Sequence, residues 1–399
     1  MKRKIFTKLL EHLPDKEATI LIGARQTGKS TLLRQVREHL EAQGETVQFF
    51  NLERRELLTD LNANPENIFK YLPVQKTGRA FVLIDEVQYL QDPTHFVKLL
   101  YDEYSDRIKL LVTGSSAFYI DDKFKDSLAG RKKIFELKTL DFEEYLLFSD
   151  LPEELSALQK LRDSVISASA LEPRLWVHLE NYMTYGGYPA VVLEPDYLRK
   201  QERLAELRDS FVKRDMLESG IADEFKFYRL LMLLASQTGG MVNLSELSNT
   251  LQVSQHHLSQ YLFVLQKCFH ISLVRPFARN LRKELTKMPK VYFNDLGLRN
   301  ALVNYYVSLE SRADKGLLLE NYVFRQLSER HTLDQIKYWR TADGNEVDFV
   351  LEENAYGGKA VEVKFNRSEY KPRKYARFVE SYPEYPLEVW SWKERALLG

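Results

Sequence analysis

Ala18-Thr19-Ile20-Leu21-Ile22-Gly23-Ala24-Arg25-Gln26-Thr27-Gly28-Lys29-Ser30-Thr31 decides the fold of this chain. The opening apolar run reads as a strand buried on both faces. The residues after it satisfy G-x-x-x-x-G-K-[ST], and the periodic stretch Thr31 to Leu40 reads as a helix, which is the context the motif requires. The chemistry is that of a phosphate cradle. Glycines let the backbone curl until successive N–H groups and the helix N-terminus face an anion, Lys29 reaches the β and γ oxygens, and Ser30 ligates Mg²⁺. Gly23, Ala24, Arg25, Gln26, Thr27, Gly28, Lys29, Ser30 and Thr31 are therefore the expected nucleotide-binding residues, with ATP and Mg²⁺ as cofactors.

Further strands are expected near 47 to 52, 80 to 84 and 109 to 113, alternating with helix-length segments as in a parallel sheet flanked by helices. Ala80-Phe81-Val82-Leu83-Ile84 delivers Asp85 and Glu86 at its end. Asp85 is expected to hold Mg²⁺ through its shell and Glu86 to polarise the attacking water. Lys109 to Val112 leads to Thr113 and Ser115, either of which is placed to sense a γ-phosphate through a hydrogen bond. Gly130-Arg131-Lys132-Lys133 precedes another β-like segment, Ile134 to Leu137, and Arg131 is a candidate arginine finger, in cis or across a subunit boundary.

The 399 residues exceed what one core usually serves, so a multidomain protein is expected. Fifty-seven basic residues balance fifty-seven acidic ones. No global field then draws the molecule to nucleic acid or an anionic membrane, and such binding must rest on local patches. Cys268 is the single cysteine, which excludes an intramolecular disulfide framework and reads as a small core hydrophobe. Lys8 and Glu11 interrupt the run that a signal peptide would need, and no stretch has the length of a membrane span. A cytoplasmic protein with no membrane partner is expected.

The expected domains are a P-loop domain over 1–165, a small helical lid over 166–225, a helix-turn-helix of winged type over 226–290, and a separate α/β domain over 291–399. The helix-turn-helix rests on Val242 to Leu247, which caps one helix, and on Val253 to Leu258, which opens another carrying Leu258, Leu262 and Leu265. A basic run, Arg275, Arg279, Arg282, Lys283, Lys287 and Lys290, is offset only by Glu284 and suits a wing that contacts backbone phosphates. His256 and His257 open the candidate recognition helix with no third ligand near them.

Taken with Leu83-Ile84-Asp85-Glu86-Val87-Gln88, Thr113-Gly114-Ser115-Ser116, Leu128-Ala129-Gly130-Arg131, Leu140 to Tyr145, Tyr185-Gly186-Gly187-Tyr188-Pro189, Phe293 to Leu298 and Gly344 to Phe349, the chain resembles the AAA-type bacterial and archaeal ATPases with a C-terminal DUF4143 domain. The likeness covers nearly the whole length. It implies an AAA+/RecA-like P-loop fold, related to the AAA+ and STAND groups, that forms homo-oligomers. It also implies that a Gly-x-Pro in the lid touches the adenine, a role for Gly187-Tyr188-Pro189 and for Pro189 in particular.

Glu320, Asp348 and Glu362-Val363-Lys364 are set out as in the PD-(D/E)xK restriction-endonuclease-like core: a helix acid, a strand acid, then E-x-K on the next strand. That chemistry takes two carboxylates to hold a divalent metal and a lysine on the same strand face to orient water. Glu320, Asp348 and Glu362 are the expected ligands, with Lys364 beside them, although Val347 stands where the pattern usually has proline. The three modules together predict an ATPase that binds, remodels or translocates DNA, with a nuclease-like C-terminal domain that binds DNA and has DNA cleavage as a candidate second activity. A STAND-like signalling or defence switch and a protein-remodelling ATPase are the competing readings.

Overall fold

β1 (Ala18–Ile22) lies inside a parallel sheet with β2 (Val47–Asn51), β3 (Ala80–Asp85), β4 (Ile108–Gly114) and β5 (Lys132–Glu136), in the order β2-β3-β4-β1-β5. The coordinates are a computed structural model that describes residues 1–72, 78–114, 128–162, 172–278, 284, 287–354 and 356–398. Strand alternation sorts the apolar side chains onto two faces. Leu21, Leu83 and Leu111 pack with Leu32, Leu33, Val36 and Leu40 of the helix Lys29–Ala42. Ile20, Val82, Ile84 and Val112 pack on the opposite face with Phe96, Val97 and Leu100 of the helix Pro93–Tyr104. Every pairing in the sheet is parallel, so the carboxyl ends of the strands emerge along one edge, where open α/β sheets bind ligands.

The chain divides into two compact units: Met1–Lys138 with Lys267–Phe269, and Thr139–Gln266 with His270–Gly399. In the second unit, β6 (Ile271–Pro276), β7 (Lys290–Phe293), β8 (Ile336–Arg340), β9 (Glu346–Asn354), β10 (Gly357–Lys364) and β11 (Leu387–Ser391) form a mixed sheet in the order β11-β10-β9-β8-β6-β7. The hairpin β6–β7, expected as a wing, is the edge of this sheet, because β6 runs on to pair with β8 at Arg275–Lys337 and Pro276–Tyr338. The helices Phe142–Phe148, Pro152–Arg162 and Glu172–Tyr185 share one core with the helix Lys315–Leu327 and with Phe349, Val361 and Val363 of the sheet. A capping box closes the first of them, with Asp141 accepting the Glu144 amide and Glu144 reaching back to Asp141. The helices Leu244–Leu251 and Gln255–Lys267 form the anticipated pair, the first capped by Asn243.

Candidate functional site

The phosphate loop joins β1 to the helix Lys29–Ala42 at the carboxyl edge of the parallel sheet. Gly28 caps that helix in the left-handed region at φ 98°, a conformation open to glycine at little cost. Gly23 is required for a different reason: a Cβ there would stand 2.2 Å from the Leu137 carbonyl oxygen. The buried Lys29 ammonium donates to the carbonyls of Gly23 and Ala24, both at 2.8 Å, and Thr27 Oγ1 donates to Ala24 O at 2.8 Å. Arg3, which sequence reasoning missed, ties the loop down by donating to Thr27 O at 3.0 Å and Lys138 O at 2.9 Å. Ser30 is half-buried in the first helical turn and Thr31 is exposed beside it.

Asp85 and Glu86 leave β3 at the same edge, with β4 lying between β3 and β1. Thr113, fully buried near the end of β4, donates from Oγ1 to Asp85 Oδ1 at 2.5 Å and accepts the Glu86 amide at 3.0 Å. Glu86 turns out of the strand at φ 62°, unusual for a residue with a side chain, and its carboxylate accepts from Gln88 Nε2. Asp85 is thereby fixed as an acceptor while the chain turns at the next acid, which is half-buried. Ser115, the other expected sensor, lies outside the described residues.

Arg131 is not brought to this edge. It precedes β5, whose first residue Lys132 pairs with Ala18, and its amide and carbonyl belong to the amino edge of the sheet. Strand rise separates it from the phosphate loop by on the order of 15 Å or more. Its Nε donates to Asp102 Oδ1 at 2.6 Å, and that carboxylate raises the guanidinium's affinity for its proton. Pro189 is in the second unit, at the first turn of the short helix Pro189–Val192. There Gly187 N donates to Asp295 Oδ2 at 2.8 Å, and Asp295 also caps the helix Leu296–Val303. Asp295 explains Gly186, where a Cβ would stand 2.2 Å from its Oδ1, while the Leu140 carbonyl oxygen explains Gly187, where a Cβ would stand 2.2 Å from it.

Glu320, Asp348, Glu362 and Lys364 gather on one face of the second sheet, joined by groups the sequence did not assign there. Lys290, expected in the exposed basic run, is buried. Its Nζ lies 3.0 Å from Glu320 Oε1, 2.5 Å from Glu346 Oε1 and 3.6 Å from Asp348 Oδ1. Tyr292 OH donates to Glu320 Oε1 at 2.6 Å, and Tyr375 OH donates to Glu362 Oε1 at 2.7 Å, where the Lys364 ammonium also donates. Burial, with the Asp348 charge adding to it, pushes the Glu320 and Glu362 carboxyls up to about 7. Burial pulls the Lys290 ammonium down, but Glu320, Tyr292, Asp348 and Glu346 outweigh it and hold its affinity for a proton well above the ordinary value. Glu284 is likewise internal and ion-paired, to Lys337 at 2.9 Å. Of the basic run, Arg275 and Lys287 are exposed, while Arg279, Arg282 and Lys283 lie outside the described residues.

Residues 15–146 match an AAA domain, 177–308 a domain of unknown function named DUF8612, and 315–391 the domain of unknown function DUF4143. The chain thus carries one region similar to AAA domains and another similar to DUF4143 domains. Among relatives, an uncharacterized protein of Haemophilus influenzae is 27% identical over 365 residues, covering 88% of this chain and 84% of its own. An uncharacterized protein of Methanocaldococcus jannaschii is 24% identical over 360 residues, covering 88% and 76%. Among solved structures, a replication initiator DnaA bound to AMPPCP and single-stranded DNA is 14% identical with a TM-score of 0.29, over 66% of this chain and 85% of that one. At that score the likeness carries no argument about this chain. The AAA domain contains the phosphate loop, Asp85, Glu86, Thr113 and Arg131, and the DUF4143 domain contains Glu320, Asp348, Glu362 and Lys364. No helix among the described residues is long and apolar enough to cross a membrane.

Proposed function

We propose that this chain is a Mg²⁺-dependent ATPase whose turnover is coupled to DNA held by the second unit, working as a homo-oligomer. The observation that carries the first half is the Thr113 bridge between the Asp85 carboxylate and the Glu86 amide, at the sheet edge where the phosphate loop opens. A loop built only to grip an anion has no use for a fixed acid with a second, half-buried acid beside it. The hydroxyl of Ser30 and the carboxylate of Asp85 are hard oxygen donors that fit Mg²⁺, and they are the residues that would hold it. When bound, Mg²⁺ supplies charge neutralisation to the β and γ oxygens. Gly23 to Thr31 bind and orient the phosphates, Lys29 exchanges its loop carbonyls for phosphate oxygens, and Glu86 holds the proton side of the attacking water.

DNA coupling is supported by the helix Gln255–Lys267, which buries Leu258, Tyr261, Leu262 and Leu265 and leaves Gln255, His256, His257, Ser259 and Gln260 exposed as a hydrogen-bonding face. Arg275 near the end of β6 and Lys287 just before β7, both at the connecting end of the hairpin, add exposed positive charge. The deciding experiment is the steady-state rate of phosphate release with Mg²⁺, alone and with single-stranded, duplex or branched DNA, with Glu86→Gln as blank. Turnover that one DNA form accelerates supports the whole reading. Turnover indifferent to DNA overturns the coupling and favours a nucleotide-driven switch, and turnover that survives Lys29→Ala overturns the ATPase assignment.

A further inference from the structure

The three acids of the DUF4143 domain do not fit a divalent metal as the structure holds them. Among the described residues the trio of His, Asp or Glu ligand atoms that lies within 4.8 Å of one another is His12, Asp15 and Glu17, in the first unit. There the Lys109 ammonium donates to the carbonyls of Asp15 and Glu17 at 2.9 and 2.6 Å. Glu320, Asp348 and Glu362 are instead drawn onto protein donors. Glu320 Oε1 accepts from Lys290 and Tyr292, and Glu346 Oε1 pairs with Lys290 while its Oε2 accepts from Arg340 at 2.9 Å. Asp348 Oδ2 accepts the Val363 amide at 2.8 Å, and its Oδ1 faces Lys290. Glu362 Oε1 accepts from Tyr375 and Lys364, and its Oε2 accepts the Asp348 amide at 3.3 Å. Each of these carboxylates already has a protein donor, and the Lys290 ammonium already supplies positive charge between Glu320, Glu346 and Asp348.

We infer that Lys290 is the resident cation of this cluster, a covalently attached ammonium standing between Glu320, Glu346 and Asp348 where a metal-dependent nuclease holds its divalent ion. Its place in the fold makes this possible. Lys290 opens β7 with all four residues of that strand buried, and alternation puts it on the same face as Tyr292, so both reach Glu320 on the neighbouring helix. The ring of Tyr338 lies 5.6 Å from Nζ and adds its face to the cage. An ammonium gives the acids a charge partner but no Lewis acid. It cannot polarise a scissile phosphate as a bound metal does, nor lower the pKa of a coordinated water. The acid cluster is therefore a structural network inside the sheet and lacks the Lewis acid that phosphodiester hydrolysis takes. This stands apart from the ATPase reading, which uses the other unit.

The test measures Mn²⁺ binding to the nucleotide-free full chain by titration calorimetry, in the wild type, in Lys290→Met, in Asp348→Asn, and in Lys290→Met with Asp348→Asn. The same four proteins are incubated with Mn²⁺ and labelled DNA and run on a gel. Any binding at the phosphate loop is common to all four and cancels in the comparison. Lys290→Met is expected to gain one Mn²⁺ site at least tenfold tighter than anything the wild type shows, and the second substitution is expected to remove it. Wild type and Asp348→Asn are expected to bind Mn²⁺ alike and to leave the DNA intact. A folded Lys290→Met that gains no site overturns the inference. So does wild-type Mn²⁺ binding or cleavage that Asp348→Asn abolishes, because the acids then accept a metal with the lysine present. The comparison of wild type with Asp348→Asn decides by itself should Lys290→Met fail to fold.

Discussion

The Thr113 hydroxyl donates to Asp85 Oδ1 at 2.5 Å and at the same time accepts the Glu86 amide at 3.0 Å, so one side chain on β4 fixes two successive acids at the end of β3. With both hydrogen-bonding directions engaged, Thr113 works as a positioning residue for Asp85 and Glu86. Thr113→Val keeps the shape and removes the hydroxyl, leaving a buried carboxylate and an amide each short of a partner, at a cost of about 1–3 kcal/mol. The expected result is a kcat lowered about ten- to hundredfold with KM for ATP little changed, and recovery in Thr113→Ser. Phosphate-release kinetics on the three proteins separate this from a direct contact with substrate, which would move KM as well.

Lys29 and Glu86 stand at different steps and their variants should part company. Lys29→Ala removes the ammonium that sits on the loop carbonyls and is expected to abolish both ATP binding and turnover. Glu86→Gln keeps the size of the side chain and the left-handed turn that carries it, and is expected to bind ATP at near wild-type affinity while turnover falls at least a hundredfold. Equilibrium binding of a fluorescent ATP analogue reads the first quantity and phosphate release the second. If Glu86→Gln hydrolysed at the wild-type rate, the water-polarising role would have to move to another residue.

The first unit was legible from sequence because its signals are local: an apolar run, a glycine loop at fixed spacing and a helix follow one another, and all five expected strands form. The second unit was harder to read, because its sheet is assembled from distant pieces. Nothing local says that Arg275 and Pro276 pair with Lys337 and Tyr338, so the hairpin read as a free wing. Lys290 follows a basic run in sequence, yet its own neighbours carry a clue. Lys290-Val291-Tyr292-Phe293 puts lysine inside an apolar strand, and a lysine so placed is buried against acids more readily than exposed to DNA. Asp295 was visible within a motif, but its hydrogen bond to Gly187, far away in sequence, was not.

Lys109 makes the stability of the first unit depend on pH. The side chain is fully buried on β4, and burial, then the Arg79 charge, lowers its pKa from the ordinary 10.5 to about 8. Between those values the unfolded chain binds a proton that the folded chain does not, so stability rises as pH rises from about 8 toward 10.5, and the cost of the charged form is constant below that window. Lys109→Met abolishes the titration and shifts stability by a pH-independent amount. The wild-type protein should therefore gain roughly 2 kcal/mol relative to the variant between pH 7 and pH 9.5. Hydrogen exchange of β4 peptides in the two proteins measures the difference, and parallel behaviour across that range would show that Lys109 is not titrating there.

Arg131 sits at the amino edge of the sheet, engaged with Asp102, while the phosphate loop opens at the carboxyl edge. No rotamer of an arginine spans a separation on the order of 15 Å, so within one chain the guanidinium does not meet the γ-phosphate. Arg131→Ala is expected to keep wild-type ATP affinity, and wild-type turnover wherever the protein is dilute enough to be monomeric. An arginine finger acting across a subunit boundary predicts a loss that appears only as protein concentration rises. It also predicts rescue when Arg131→Ala, which keeps Lys29, is mixed with Lys29→Ala, which keeps Arg131. Turnover measured against protein concentration for each variant and for the mixture separates these cases. A loss in the dilute monomer would contradict the strand order, because it would require Arg131 to act on its own chain's nucleotide from the opposite edge of the sheet.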